Sequence, residues 1–129
     1  MSWAATCKDL VTRYPALCSV SITDHDGNPW GTSDPAFQPT IKVVQDAMSL
    51  MKGVNTSTTS LEISDTKFII LRSDSANVIC KAGKRSCFFS KTNQMCIVGM
   101  SEDSETASNS GNANISMGRI ADYYISTGY

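Results

Sequence analysis

The sequence predicts an α+β fold: a central antiparallel sheet with the N- and C-terminal helices together on one face and a further helix on the other. Three observations carry this. Apolar residues recur at helical spacing at both ends of the chain and once between residues 39 and 53. Five strand-like segments follow one another between residues 60 and 100, and the short connections between them suit antiparallel neighbours. Two of those segments, FIIL and CIVGM, are apolar at consecutive positions, which asks for cover on both faces. With 129 residues, 41% of them hydrophobic and 18% charged, the chain reads as one domain, residues 1–129, around one core.

Each element has a local reason. Ser2 is a good N-cap, and Trp3, Cys7, Leu10, Val11 and Tyr14 follow at helical spacing up to Pro15. LCSVSITD alternates like a half-buried strand, DHDGN is a turn, and PWGTS is the strand that returns from it. In QPTIKVVQDAMSLMKG, Pro39 suits the first helical turn, Ile41, Val44, Met48 and Met51 form the apolar stripe, and Gly53 suits the end. The segments SLEIS, KFIILRS, NVICKA, SCFFSK and QMCIVGM are strands, SEDSETASNSGN is a polar loop, and NISMGRIADYYIST is a C-terminal helix with Met117, Ile120, Ala121 and Tyr124 on its core stripe.

Composition excludes several function classes. A net charge of −1 with a pI near 5.7 gives no global field toward nucleic acid or an anionic membrane, so no nucleic-acid partner is expected. The N-terminus lacks the basic and apolar regions of a signal peptide, and no stretch approaches the roughly 20 apolar residues of a membrane span, which predicts a cytosolic protein with no transmembrane segment. Cys7, Cys18, Cys80, Cys87 and Cys96 make an odd count with no C-x-x-C spacing, so they read as reduced, mostly buried thiols and not as a disulfide or zinc framework. The sequons at Asn55 and Asn114 are then silent. Catalysis has little support: His25 is the single histidine, it sits in a turn, and there is no partner for a Cys-His or Ser-His pair. DHDG resembles the opening of a calcium loop, but the twelfth position from Asp24 is Pro35. No metal or cofactor is expected.

The aromatic residues point instead to binding. On the C-terminal helix Tyr124 falls inside the apolar stripe, Tyr123 lies well over 90° from its centre, and Tyr129 lies beyond the helix. With both terminal helices on one face, Trp3, Trp30, Tyr123 and Tyr129 converge on one exposed shelf. Such a shelf receives a polyproline II helix, whose preformed backbone loses little entropy on docking and whose carbonyls accept bonds from Tyr O–H and Trp N–H.

Here the sequence resembles the profilin family over its whole length. MSW at the N-terminus, DGNPWGTS at the hairpin, KTNQ before the last long strand and GNANISMGRIADYYISTGY at the end match the family's motifs in order. The resemblance implies a profilin-like fold in a cytoplasmic, cytoskeletal protein. Such a protein binds monomeric actin and proline-rich partners such as formins, promotes nucleotide exchange on actin and delivers subunits to growing filaments. By position, Trp3, Trp30, Tyr123 and Tyr129 match the family's proline-binding aromatics, and Thr6 stands where many relatives carry another Tyr. The positions matching the actin-facing surface are Lys67, Arg72, Lys81, Lys91, Asn114 and Arg119. Phosphoinositide contacts, to phosphatidylinositol 4,5-bisphosphate, would fall to Lys81, Lys84, Arg85 and Lys91, at about 1 kcal/mol per basic residue near an anionic surface. One departure bears on the actin side: the loop carrying Glu102, Asp103 and Glu105 is longer than the pattern expects, and acidic charge there would alter on-rate and salt dependence. It favours an alternative, an adaptor of the same fold that keeps the proline site with weak or lost actin binding.

Overall fold

The computed structural model describes residues 2–54, 57–106 and 108–129, so Asn55 of the first sequon lies outside the described residues. Helix α1 (Trp3–Arg13) is followed by the hairpin β1 (Ser19–Asp24) and β2 (Pro29–Thr32), a short 3-10 turn at Pro35–Phe37, and helix α2 (Ile41–Met51). Strands β3 (Ser60–Ile63), β4 (Thr66–Ser73), β5 (Asn77–Ala82), β6 (Arg85–Lys91) and β7 (Met95–Glu102) form a meander that leads into helix α3 (Ser110–Ser126). One seven-stranded antiparallel sheet runs in the order β2-β1-β7-β6-β5-β4-β3. The chain thus closes its first hairpin onto its last strand, with Ser19 to Asp24 paired along Met100 to Met95.

The caps match the sequence reading at both early helices. Ser2 Oγ accepts the Ala5 amide at 3.1 Å, and Thr40 Oγ1 accepts the Val43 amide at 3.3 Å. Pro39 therefore stands before the cap of α2 and not in its first turn. Ile41 is 48% exposed, and the buried face of α2 is Val43, Val44, Ala47, Met48 and Met51.

Two cores sandwich the sheet. Under α2 lie Phe68, Val78, Cys80, Cys87, Phe89 and Val98, together with the helix's own apolar face. Under α1 and α3 lie Val20, Ile22, Phe88, Met95, Ile97 and the stripe Met117, Ile120, Tyr124. The terminal helices share one face and α2 has the other, as expected. Strand β7 is buried at every position from Met95 to Ser101. Strand β4 is not: Phe68 is fully buried beneath α2, whereas Ile69 is 49% and Leu71 63% exposed. The expectation that FIIL is covered on both faces fails because α3 packs mainly on β6 and β7 and leaves Ile69 and Leu71 exposed.

Helix α3 starts four residues earlier than the sequence reading places it, at Ser110 and not Asn114. Its first residues, Ser-Gly-Asn, are weak helix formers, and its N-cap Asn109 makes no side-chain capping bond. The Asp103 carboxylate takes that role, accepting the amides of Asn109 at 2.6 Å and Ser110 at 3.3 Å. A negative group at a helix N-terminus also complements the dipole. Glu102 ends β7 and pairs with Arg85 at 3.4 Å. Two of the acidic residues in this loop are therefore engaged within the fold.

All five thiols are free, four of them buried and Cys18 exposed. Burial pushes Cys7 up to about 11 and Cys96 up to about 12. Cys87 is raised chiefly by its hydrogen bond with Cys80, opposite it across β5 and β6, and then by burial.

Two outcomes are expected. Asp103→Ala should lower the unfolding free energy by about 1 kcal/mol, the usual cost of losing an N-terminal cap, with hydrogen exchange accelerated at Ala113 and Asn114 but not at β7. Ellman's reagent at mildly alkaline pH should modify Cys18 quickly in the native protein and the four buried thiols only after unfolding; a second fast thiol would contradict this packing.

Candidate functional site: an aromatic groove and an open sheet face

A cavity of about 520 Å³ runs between α1 and α3, with Trp3, Thr6, Tyr14, Tyr123, Tyr124 and Tyr129 on its walls. Trp3 is the centre of the ring cluster. Its centroid lies 5.3 Å from Trp30, 5.9 Å from Tyr124 and 5.3 Å from Tyr129, the last edge-on at 85°. Tyr123 and Tyr124 meet edge-on at 5.1 Å. These separations suit tilted and edge-to-face ring pairs, each worth about 0.5–1.5 kcal/mol beyond its burial.

Local sequence builds this arrangement. The Ser2 cap starts α1 so that Trp3 occupies its first turn. Gly31 lets α1 lie directly on β2, since a Cβ there would come within 2.5 Å of the backbone of Trp3 and Ala4. At the other end, Gly128 adopts φ +95 and reverses the chain after α3. Its amide bonds the Ile125 carbonyl at 3.2 Å, and the Tyr129 amide bonds the Tyr124 carbonyl at 2.8 Å. This is a Schellman motif, whose usual apolar contact is here the Tyr124–Tyr129 ring pair at 6.2 Å.

The structure brings Trp3, Tyr123 and Tyr129 to one groove. Tyr123 is 61% and Tyr129 38% exposed. Trp30 stacks on Trp3 and is not part of the groove wall, so its contribution is to hold the Trp3 ring. Tyr124 is buried in the core, as its place on the helical stripe predicts, and its edge also forms part of the groove; burial raises its phenol above the ordinary value. Tyr14 lines the groove as well, and the sequence signal was available in its position on the same stripe as Trp3. Thr6 stands on the wall with its hydroxyl donating to the Ser2 carbonyl at 3.2 Å, so it presents no ring. Asp9 and Arg13 form an exposed ion pair of 2.9 Å at the rim.

A second surface lies where α3 stops short of the sheet edge. Leu71, Ile79, Lys81, Phe88 and Asn114 line a shallow depression of about 200 Å³. Ile69 is paired with Lys81 across β4 and β5, and Ile115 on α3 is 57% exposed. The pairing shifts between Ile70 and Arg72, so Leu71 and Arg72 together oppose Ile79 in a β-bulge. Lys67, two residues before Ile69, lies on the same face by strand alternation and opposite Glu62. Lys67, Arg72, Lys81 and Asn114 thus border one strip of exposed apolar residues.

Lys91 and Arg119 do not join them. Lys91 is paired with Cys96, whose side chain lies in the core under α2, so Lys91 projects on the other face of the sheet. Arg119 lies one turn before Tyr123, on the flank of α3 nearer the groove and far around the helix from Asn114. The basic set Lys81, Lys84, Arg85 and Lys91 is also dispersed. Lys81 faces the α3 side, Lys84 is in the β5–β6 turn, and Arg85 lies 5.2 Å over the Phe37 ring on the α2 side while paired with Glu102.

No other constellation competes. Among the described residues no three His, Cys, Asp or Glu side chains are placed to hold a metal ion. Asp24 uses its carboxylate on the turn, accepting Asn28 Nδ2 at 3.0 Å and the amides of Asp26 and Asn28 at 2.9 Å, and the Asn28 side chain is the main reason its carboxyl titrates below the ordinary value. His25 Nε2 bonds the Thr92 carbonyl at 2.8 Å. No helix among the described residues is long and apolar enough to cross a membrane.

Comparison with known proteins agrees with this geometry. The chain is 27% identical to Profilin-2 of Caenorhabditis elegans over 98% of each chain. Among solved structures it is similar to Acanthamoeba castellanii profilin IA, with a TM-score of 0.85, 24% identity and coverage of 99% of this chain and 100% of that one. It also shares its fold with mouse profilin IIa solved with a double repeat from the FH1 domain of mDia1, at a TM-score of 0.74, 14% identity and full coverage of both chains. LokiProfilin1, solved with rabbit actin, matches at a TM-score of 0.64 and 13% identity over 95% of this chain and 98% of that one. The profilin family model matches residues 1–129, and the chain belongs to the profilin family.

Proposed function

We propose that this protein is a cytosolic regulator of actin filament assembly that binds proline-rich segments in the α1–α3 groove and monomeric actin on the open β4–β5 face. The observation that carries the reading is the ring cluster: Trp30, Tyr124 and Tyr129 meet around Trp3 and Tyr123 adjoins Tyr124, beside a groove of a size to take an extended peptide. A proline-rich ligand pairs well with such a wall because polyproline II is preformed and its carbonyls are unpaired. Formin-type repeats are the class of partner, supported by the relative solved with FH1 repeats.

For actin, support comes from the apolar strip Ile69, Leu71 and Ile115, bordered by Lys67, Arg72, Lys81 and Asn114. Exposed apolar residues inside a polar rim are the usual anatomy of a protein interface. The relative solved with rabbit actin supports the class of partner. Binding there would sequester monomers from spontaneous nucleation, promote nucleotide exchange and deliver subunits to growing ends. Glu102 is paired to Arg85 and Asp103 caps α3, so two carboxylates of the acidic loop have partners within the fold.

Titration with poly-L-proline should change the intrinsic Trp fluorescence. Tyr123→Ala, at an exposed position, should weaken that affinity by roughly 10-fold and lower the thermal midpoint only by the few degrees of one lost ring pair, and Trp3→Ala should weaken it by more, in line with the 1–3 kcal/mol typical of an aromatic anchor. Unchanged affinity in both variants would refute the groove. The protein should also suppress spontaneous nucleation in pyrene-actin assays. Leu71→Asp should abolish that effect while leaving the poly-L-proline titration intact; absence of suppression by the wild-type protein at any concentration would leave the adaptor reading in its place.

A further inference from the structure

The β6–β7 turn belongs to neither surface, yet it holds the end of the chain. Thr92 is buried, and its hydroxyl accepts the Met95 amide at 3.0 Å while donating to the main-chain oxygen of Tyr129 at 2.9 Å. Gln94 Nε2 donates to the Gly128 carbonyl at 2.9 Å, and the Gln94 amide donates to the main-chain oxygen of Tyr129. Three donors from one turn therefore converge on two consecutive main-chain oxygens. The Thr92 carbonyl in turn bonds His25 Nε2 at 2.8 Å, which ties the turn to the β1–β2 hairpin that carries Trp30.

We propose that Thr92 and Gln94 are positioning residues for the Tyr129 ring, fixing one wall of the proline groove without touching its occupant. This rests on the proline-binding reading above. Neither residue lines the groove. The Schellman motif sets the direction in which the chain leaves α3, but its two bonds are made within the helix end itself. The bonds from the β6–β7 turn add a polar tether from the sheet to the main chain of Gly128 and Tyr129, beside the ring contact with Trp3, and so set where the Tyr129 ring meets α1. A half-exposed ring on an untethered terminus would sample many orientations, and a ligand would have to order it on binding.

The test uses the full chain carrying Gln94→Ala, which alters an exposed side chain, and Thr92→Val, with Thr92→Ser to restore the hydroxyl. Two quantities are read: the nuclear Overhauser contact between the Trp3 and Tyr129 rings in the free protein, and the poly-L-proline dissociation constant. Gln94→Ala and Thr92→Val should each lose the ring contact and weaken binding by roughly fivefold, as expected for one hydrogen bond. Thr92→Ser should recover both, and neither substitution should add to the loss already caused by Tyr129→Ala. Retention of the ring contact, unchanged affinity despite its loss, or an equal further loss in the Tyr129→Ala background would each overturn the proposal. If the wild-type protein fails to bind poly-L-proline, the proline reading falls, while loss of the ring contact in the variants would still assign the positioning role.

Discussion

The sheet is wider than its helices can cover. Seven strands at about 4.8 Å spacing span roughly 29 Å, whereas two packed helices of about 10 Å diameter cover roughly 20 Å. On the face shared by α1 and α3 the cover therefore ends before the β3–β4 edge, and the side chains left bare are Ile69 and Leu71. Both candidate surfaces follow from this mismatch. One is the seam where the two helices meet, and the other is the strip they fail to reach. They lie on the same side of the sheet, separated by α3, and their linings share no residue.

The seam depends on the two ends of the chain being ordered, which ends seldom are. Fixing each terminal residue costs about 1–2 kcal/mol of backbone entropy. Here Trp3 makes ring contacts with Trp30, Tyr124 and Tyr129, so one side chain joins α1, β2 and α3. At about 0.5–1.5 kcal/mol per ring pair, on top of the buried area, these contacts are of the size needed to offset ordering at both ends. The terminal aromatics thus stabilise the fold and line the groove at once.

Much of this was legible in the sequence wherever information is local. The Ser2 cap, the Tyr124 stripe and the strand segments depend on residues a few positions apart, and the structure keeps them. What the sequence hid depends on distant contacts. Asp103 caps a helix that starts seven residues downstream of itself, a link that the polar run SEDSETASNSGN does not display. The bare face of β4 reflects the reach of α3, which no pattern within FIIL records. Lys81 and Lys91 look alike as strand-borne cations, but they have opposite parity relative to the core and project on opposite faces. The motif KTNQ was readable only as a resemblance, because the oxygens it holds lie at the far end of the chain.

Net charge is a poor guide to the open face for a similar reason. A total of −1 averages over the surface, while at physiological salt charges act over about 8 Å. Within that distance it matters which carboxylates are already committed. Glu102 is paired with Arg85, Asp103 caps α3, and Asp24 and Asp74 accept amides in their own turns. Glu62, opposite Lys67, is the carboxylate that the strand pairing brings to the strip itself. Of the three cations on the strip, Lys67 faces Glu62 and Arg72 has Asp74 as a charged neighbour, so the border carries both signs. A partner that meets this strip encounters an apolar centre with a charged border of both signs, and desolvating the centre supplies affinity while the border sets orientation and rate.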